Sequence, residues 1–151
     1  MGAVSGGISV KDGSPDGYRA LAALTRAEHP DHALAVLVKL RASRINNCRF
    51  CEDAHTAGAL EAGVSDDRIA ATADWQASDL FDGREGAALA LTDLLTRSGD
   101  LARAEDPSMA PAWDAAAGAF PGDDLLQLVF TIAGINAWNR MMISEAVISE
   151  G

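Results

Sequence analysis

Between His29-Pro30-Asp31 and Asn46-Asn47 the chain carries a segment that is apolar on nearly every side. Leu34, Ala35, Val36, Leu37, Val38 and Leu40 wrap most of the circumference of a helix expected from about His32 to Ile45. A helix of that kind has no face to offer water, so it must lie inside an assembly of other elements. The remaining segments supply helices and not strands. None shows the period-2 alternation of a half-buried strand, and several open with helix-capping residues.

Ser14-Pro15-Asp16 opens a helix striped by Tyr18, Leu21, Ala22 and Leu24, with serine as cap and proline in the first turn. Cys48 to Ala62 reads as a helix stopped at Gly63, and Ser65-Asp66-Asp67 starts a short one to about Asp74. Asp82 and Glu85 have capping-box spacing for a helix through Arg97, stopped by Gly99. Pro107 to Ala119 carries a short helix containing Trp113. Pro121-Gly122-Asp123 caps a long final helix from Asp124 to about Ser149. The expected fold is all-α, with six to seven helices in one domain over residues 14–151, preceded by a loose Gly/Ser-rich arm over 1–13.

Composition narrows the function classes. With 48% hydrophobic and 23% charged residues the 151-residue chain is globular, and it can build a core without disulfide staples. A formal net charge of −10 without a basic patch argues against nucleic acid and anionic membranes as partners. No apolar run approaches the roughly 18 residues of a membrane span, and Met1 to Gly13 has no signal-peptide core, so a cytoplasmic protein is expected.

The chemistry concentrates in one segment. Cys48 and Cys51 are the only two cysteines, and His55, one of three histidines, follows four residues after the second. On a helix, positions i, i+3 and i+7 fall within about 60° of one another, so both sulfurs and the imidazole share a face. Asn47 is the expected cap, which puts the cysteines near the first turn, where unpaired N–H groups favour a thiolate. A vicinal thiol pair beside a base suits a peroxidatic cycle. In it Cys51, with His55 at i+4, attacks a hydroperoxide, and Cys48 resolves the sulfenic acid to a disulfide. His29 and His32, flanking a proline turn, are expected to be solvated. Trp75, Trp113 and Trp138 are expected to fill core or interface. Asn136, Asn139 and Arg140 should stitch helices or subunits together, and Met141-Met142 should pack an interface.

Leu37 to His55 resembles the core of the AhpD-like alkylhydroperoxidases of the carboxymuconolactone decarboxylase superfamily. Ala73-Asp74-Trp75, Phe81 to Leu91 and Thr131 to Arg140 agree with it, so the resemblance runs from about Ser14 to Ile143. It implies an all-helical protomer assembled as a homotrimer or homohexamer. It also implies reduction of hydroperoxides at the thiol pair, the second cysteine peroxidatic and the first resolving, with a histidine and a glutamate relaying protons. No cofactor is implied, and a thiol or dithiol reductant is the implied partner. Cys48, Cys51 and His55 match three roles. The glutamate usually stands twelve residues before the first cysteine, and Val36 occupies that position here. Glu52 and Glu85 are the nearest substitutes by sequence.

Three other readings compete. A thiol–disulfide oxidoreductase or redox sensor needs less proton transfer and is favoured by Val36. A non-enzymatic helical oligomer would carry the pair as a vestige. A zinc site would find only three ligands crowded on one helix, a poor match to tetrahedral geometry, so no metal is expected.

Overall fold

The computed structural model describes residues 9–99, 107 and 109–150. Among them stand eight α-helices, two 3₁₀ segments and no strand. The helices are α1 (Val10–Gly13), α2 (Pro15–Ala23), α3 (His32–Ile45), α4 (Arg49–Glu61), α5 (Asp66–Ala71), α6 (Gly83–Thr96), α7 (Met109–Ala119) and α8 (Asp123–Glu150). The all-α expectation holds. Of the expected arm, residues 1–8 lie outside the described residues. Val10–Gly13 form a helical turn capped by Ser9, and the Val10 N–H donates to the Glu145 carboxylate of α8 at 2.6 Å. Of the expected helix from Pro107, residue 108 likewise lies outside the described residues.

α3 is the central element, as its sequence demands. Leu34 and Val38 face one core cluster, which Ala88 and Leu91 of α6, Ala116 of α7, Phe120 just after it, and Leu128 and Ile132 of α8 complete. Val36, Leu37 and Leu40 face a second cluster with Ala59 of α4, Val64 of the turn after it and Ile69 of α5. A single chain thus covers both sides of the helix, and Leu37, Val38 and Leu40 are 0% exposed.

Some predicted caps form as expected, whereas Ser14 and Ser65 stand at the N-caps of α2 and α5 without a side-chain cap hydrogen bond. The Asp31 carboxylate accepts from the Leu34 N–H at 3.1 Å, so α3 starts at His32 as expected. Asp82 and Glu85 form the full capping box of α6. α4 ends in a Schellman turn with Gly63 at φ 80°, where Val64 N–H reaches Ala59 C=O at 2.9 Å and Gly63 N–H reaches Leu60 C=O at 3.0 Å.

The helix expected from Ser65 to about Asp74 breaks early. α5 stops at Ala71 and a 3₁₀ segment, Thr72–Ala77, follows with Asp74 out of helical geometry. The cause is two arginines of α3. Arg41 donates to the carbonyls of Thr72 at 3.1 Å and Ala73 at 2.7 Å, and Arg44 to Ile69 at 2.7 Å. These bonds draw acceptors away from a regular helical ladder.

Arg41 also forms a two-pronged ion pair with Asp93 of α6, Nε–Oδ1 at 2.6 Å and Nη2–Oδ2 at 2.9 Å, both side chains nearly buried. Trp75 Nε1 donates to the same carboxylate at 3.1 Å, so this tryptophan packs with a polar anchor. Removing one partner of such a pair strands the other charge in the interior. Asp93→Ala is therefore expected to destabilise the fold by ~3–5 kcal/mol. Arg97→Ala, at the exposed and looser contact with Asp93 (3.9 Å), should cost under about 1 kcal/mol. Denaturant midpoints of the two variants against wild type check both.

Candidate functional site

The cysteine segment begins where α3 ends. Asn46 is the C-cap of α3 and Asn47 follows with φ 54°, the left-handed conformation that asparagine tolerates better than most side chains. The turn is a second Schellman motif, with Cys48 N–H bonded to Ser43 C=O at 3.0 Å and Asn47 N–H to Arg44 C=O at 3.2 Å. Asn47 therefore closes α3 and does not cap α4, contrary to the sequence expectation. Cys48 is the N-cap of α4, and its carbonyl accepts the first helical bond from Glu52 N–H at 2.8 Å. Cys51 then occupies the third helical position, still within reach of the free N–H groups of the first turn.

The turn is tied to the last helix. Asn46 Nδ2 donates to Asn136 Oδ1 and Asn139 Oδ1, both at 2.9 Å. Asn139 Nδ2 donates to Ser43 Oγ at 3.1 Å, and Asn136 Nδ2 to Thr96 Oγ1 at 3.0 Å. Arg140 folds back onto the Asn136 carbonyl at 2.8 Å. The expected stitching role of Asn136 and Asn139 is thus one between helices, joining α8 to α3 and α6.

Cys48 and Cys51 are joined by a disulfide, with Cα atoms 5.3 Å apart. Both are nearly buried, at 2% and 4% exposure. Only Cys51 lines the adjoining cavity of about 260 Å³, which also takes in His55 one helical turn on. Its wall is otherwise mainly apolar. Ile135, Trp138 and Met142 come from α8, Tyr18 from α2, and Phe50, 67% exposed, stands at the edge. Tyr18 and Trp138 meet edge to face, ring centres 5.2 Å apart. Trp138 and Met142 thus line the cavity itself, whereas Trp113 and Met141 are exposed.

His55 has its pKa lowered from 6.5 to about 4, first by burial and then by the charge of Lys39. The ring is neutral at physiological pH, able to accept a proton. Lys39 lines the same cavity and pairs with Glu28 at 2.8 Å.

Sequence reasoning missed Glu28. The carboxylates it named instead lie elsewhere. Glu52 pairs with Arg44 at 2.9 Å beside a separate groove, and Glu85 pairs with Arg68 while capping α6. Neither lines the cavity, because each is bound to an arginine on another face. Val36 does not line it either. It is 2% exposed within the second apolar cluster, and its methyl lies 3.7 Å from where a Cβ on Gly58 would be.

His29 also departs from expectation. It is buried, not solvated, its ring packed edge-on against Phe120 at 5.6 Å and its main-chain N–H donating to Thr131 Oγ1 at 2.9 Å. Burial, assisted by Arg84, lowers its pKa. His32, in contrast, is exposed. Among the described residues no cluster of three or more His, Cys, Asp or Glu side chains could hold a metal ion, and no helix is long and apolar enough to cross a membrane.

Comparison with known proteins finds a relative and a solved structure that match nearly the whole chain. The chain is 27% identical over 140 residues to the uncharacterized protein YdfG of Bacillus subtilis, covering 91% of this chain and 92% of the relative. It superimposes with a TM-score of 0.81 on the crystal structure of ATU0492 from Agrobacterium tumefaciens. That is a protein of unknown function provisionally assigned to antioxidant defence as an AhpD. The two are 28% identical, with 91% of this chain and 92% of that one covered. The sequence profile of the carboxymuconolactone decarboxylase family matches residues 15–94, which hold the central helix, the cysteine turn and His55, and the chain belongs to that family.

Proposed function

We propose that the protein is a thiol-dependent peroxidase that reduces organic hydroperoxides through Cys48 and Cys51. The observation that carries this reading is the asymmetry of the pair. Cys51 opens onto an apolar cavity beside a neutral imidazole, and Cys48 is held behind it as a helix cap. In the reduced protein Cys51 attacks the terminal oxygen of ROOH as its thiol proton passes through the neutral His55 ring toward the leaving oxygen. The O–O bond breaks, Cys51 becomes a sulfenic acid, and the alkoxide leaves as ROH with the proton from His55. The Cys48 thiol then displaces hydroxide from the sulfenic sulfur, forming the disulfide and water. A thiol or dithiol reductant restores the pair by exchange.

The apolar wall suits an organic group in preference to bare hydrogen peroxide. Reductants of this kind are maintained in the cytoplasm, the compartment proposed. A homotrimer or homohexamer belongs to the same reading and would cover apolar side chains such as Leu126 and Phe130 of α8, 57% and 45% exposed.

A second reading, thiol–disulfide exchange with little peroxidase turnover, is favoured by the burial of Val36 among apolar side chains. Loss of a positioned acid or base commonly costs about 10²–10⁴ in rate. Measuring hydroperoxide consumption and disulfide reduction with one reductant separates the two.

Cys51→Ser is expected to abolish hydroperoxide reduction. Cys48→Ser should stop turnover after one event and leave sulfenic or sulfinic acid on Cys51, read by mass spectrometry. Full activity in both variants would refute the assignment. For His55, an NMR titration should give a midpoint near pH 4. Its folded pKa lies below the unfolded 6.5, so the unfolded chain binds the extra proton first. The corresponding stability is present above about pH 6.5 and lost as pH falls toward 4. His55→Gln should flatten that part of the pH–stability curve.

A further inference from the structure

An ion pair in the wall of a mainly apolar cavity is costly to maintain, and Glu28 with Lys39 forms one beside the cysteine pair. Their side chains are only 17% and 13% exposed, and they meet at 2.8 Å. Both line the cavity that Cys51 and His55 open onto. Lys39 comes from α3, and Glu28 from the end of the 3₁₀ turn Leu24–Ala27. Desolvating both partners is repaid only where the charge has a use or the geometry is very good.

The groups with titratable side chains around the cavity are Cys51 and His55 on α4, Lys39 on α3, Glu28 on the 3₁₀ turn and Tyr18 on α2. α8 contributes only Ile135, Trp138 and Met142. Lys39 is the one cation among these lining residues, and its field reaches His55, where it adds to burial in disfavouring the imidazolium. The same field favours an anion at Cys51, one turn from His55 on the same helix.

We propose that Lys39 is a positioning residue of the thiol site, supplying the positive charge that favours the Cys51 thiolate, and that Glu28 holds its ammonium in the cavity wall while moderating that charge. The inference rests on Cys51 being the reactive thiol, and it does not require that hydroperoxide be its partner. The division of labour is electrostatic. Lys39 stabilises the sulfur anion, the neutral His55 ring relays the departing thiol proton without retaining it, and Glu28 sets where Lys39 stands.

The test is the pH dependence of Cys51 alkylation by iodoacetamide in the full-length Cys48→Ser protein, followed by mass spectrometry from pH 5 to 9. Adding Lys39→Met should raise the midpoint by about one unit, slowing alkylation at pH 7 about tenfold while leaving the alkaline plateau unchanged. Lys39→Arg should restore the midpoint. Glu28→Gln keeps a carbonyl acceptor for the ammonium but removes its countercharge, so the midpoint should move down and alkylation at pH 6 should quicken. A structural role alone would not shift the two midpoints in opposite directions. An unshifted midpoint in Lys39→Met, or an upward shift in Glu28→Gln, overturns the proposal. If Lys39→Met does not fold, the sign of the shift in Glu28→Gln decides alone. Alkylation needs no hydroperoxide, so a failed peroxidase assay and a failed electrostatic role are read separately.

Discussion

The amide of Asn46 holds the joint between the two helices on which the site depends. One donor group reaches two acceptors on α8 while the main chain behind it reverses direction through Asn47. Without that anchor, the left-handed residue would be a local cost with nothing to over-determine it. With it, α4 leaves α3 at a set angle, and the first two turns of α4 deliver Cys51 and His55 to the cavity. The arrangement puts polar specificity at the end of a helix whose middle is wholly apolar. Burial drives the helix inside, and a few satisfied amides decide how its exit is oriented.

The second half of α3 shows how a buried helix can carry charge. Arg41, Arg44 and Lys39 each find a carboxylate, Arg44 also takes main-chain carbonyls at the end of α5, and Arg41 takes those of the segment that follows. These guanidinium bonds do two things at once. They compensate charges that burial would otherwise penalise, and they shape the 3₁₀ segment that brings Trp75 against Asp93. Fold and site therefore share parts: neighbouring residues of α3 serve the core, the α5 boundary and the cavity in turn.

The sequence made the helical elements legible wherever a local signal existed. Asp31 and the Asp82/Glu85 box are readable because a cap and the N–H it satisfies lie within one turn of each other. Spacing likewise put Cys51 and His55 on one face. What escaped had a distant partner. Asn47 reads as a cap by type, but its conformation is set by how α3 closes and by Asn136 and Asn139, some ninety residues on. His29 reads as a turn residue until Phe120 and Thr131 cover it. Glu28 belongs to the cavity only because α3 returns Lys39 to it across a helix boundary. Carboxylates chosen by proximity along the chain, Glu52 and Glu85, were already engaged by Arg44 and Arg68.

Cys48 holds two main-chain hydrogen bonds, one given back to Ser43 and one received from Glu52. Neither involves its sulfur. A reductant that opens the sulfur–sulfur bond therefore leaves the residue's backbone clamped on both sides, and the two thiols separate by side-chain rotation alone. In the cycle proposed above, the scaffold would not have to melt and refreeze with each electron pair, and the pair would work repeatedly at little reorganisation cost to the molecule around it.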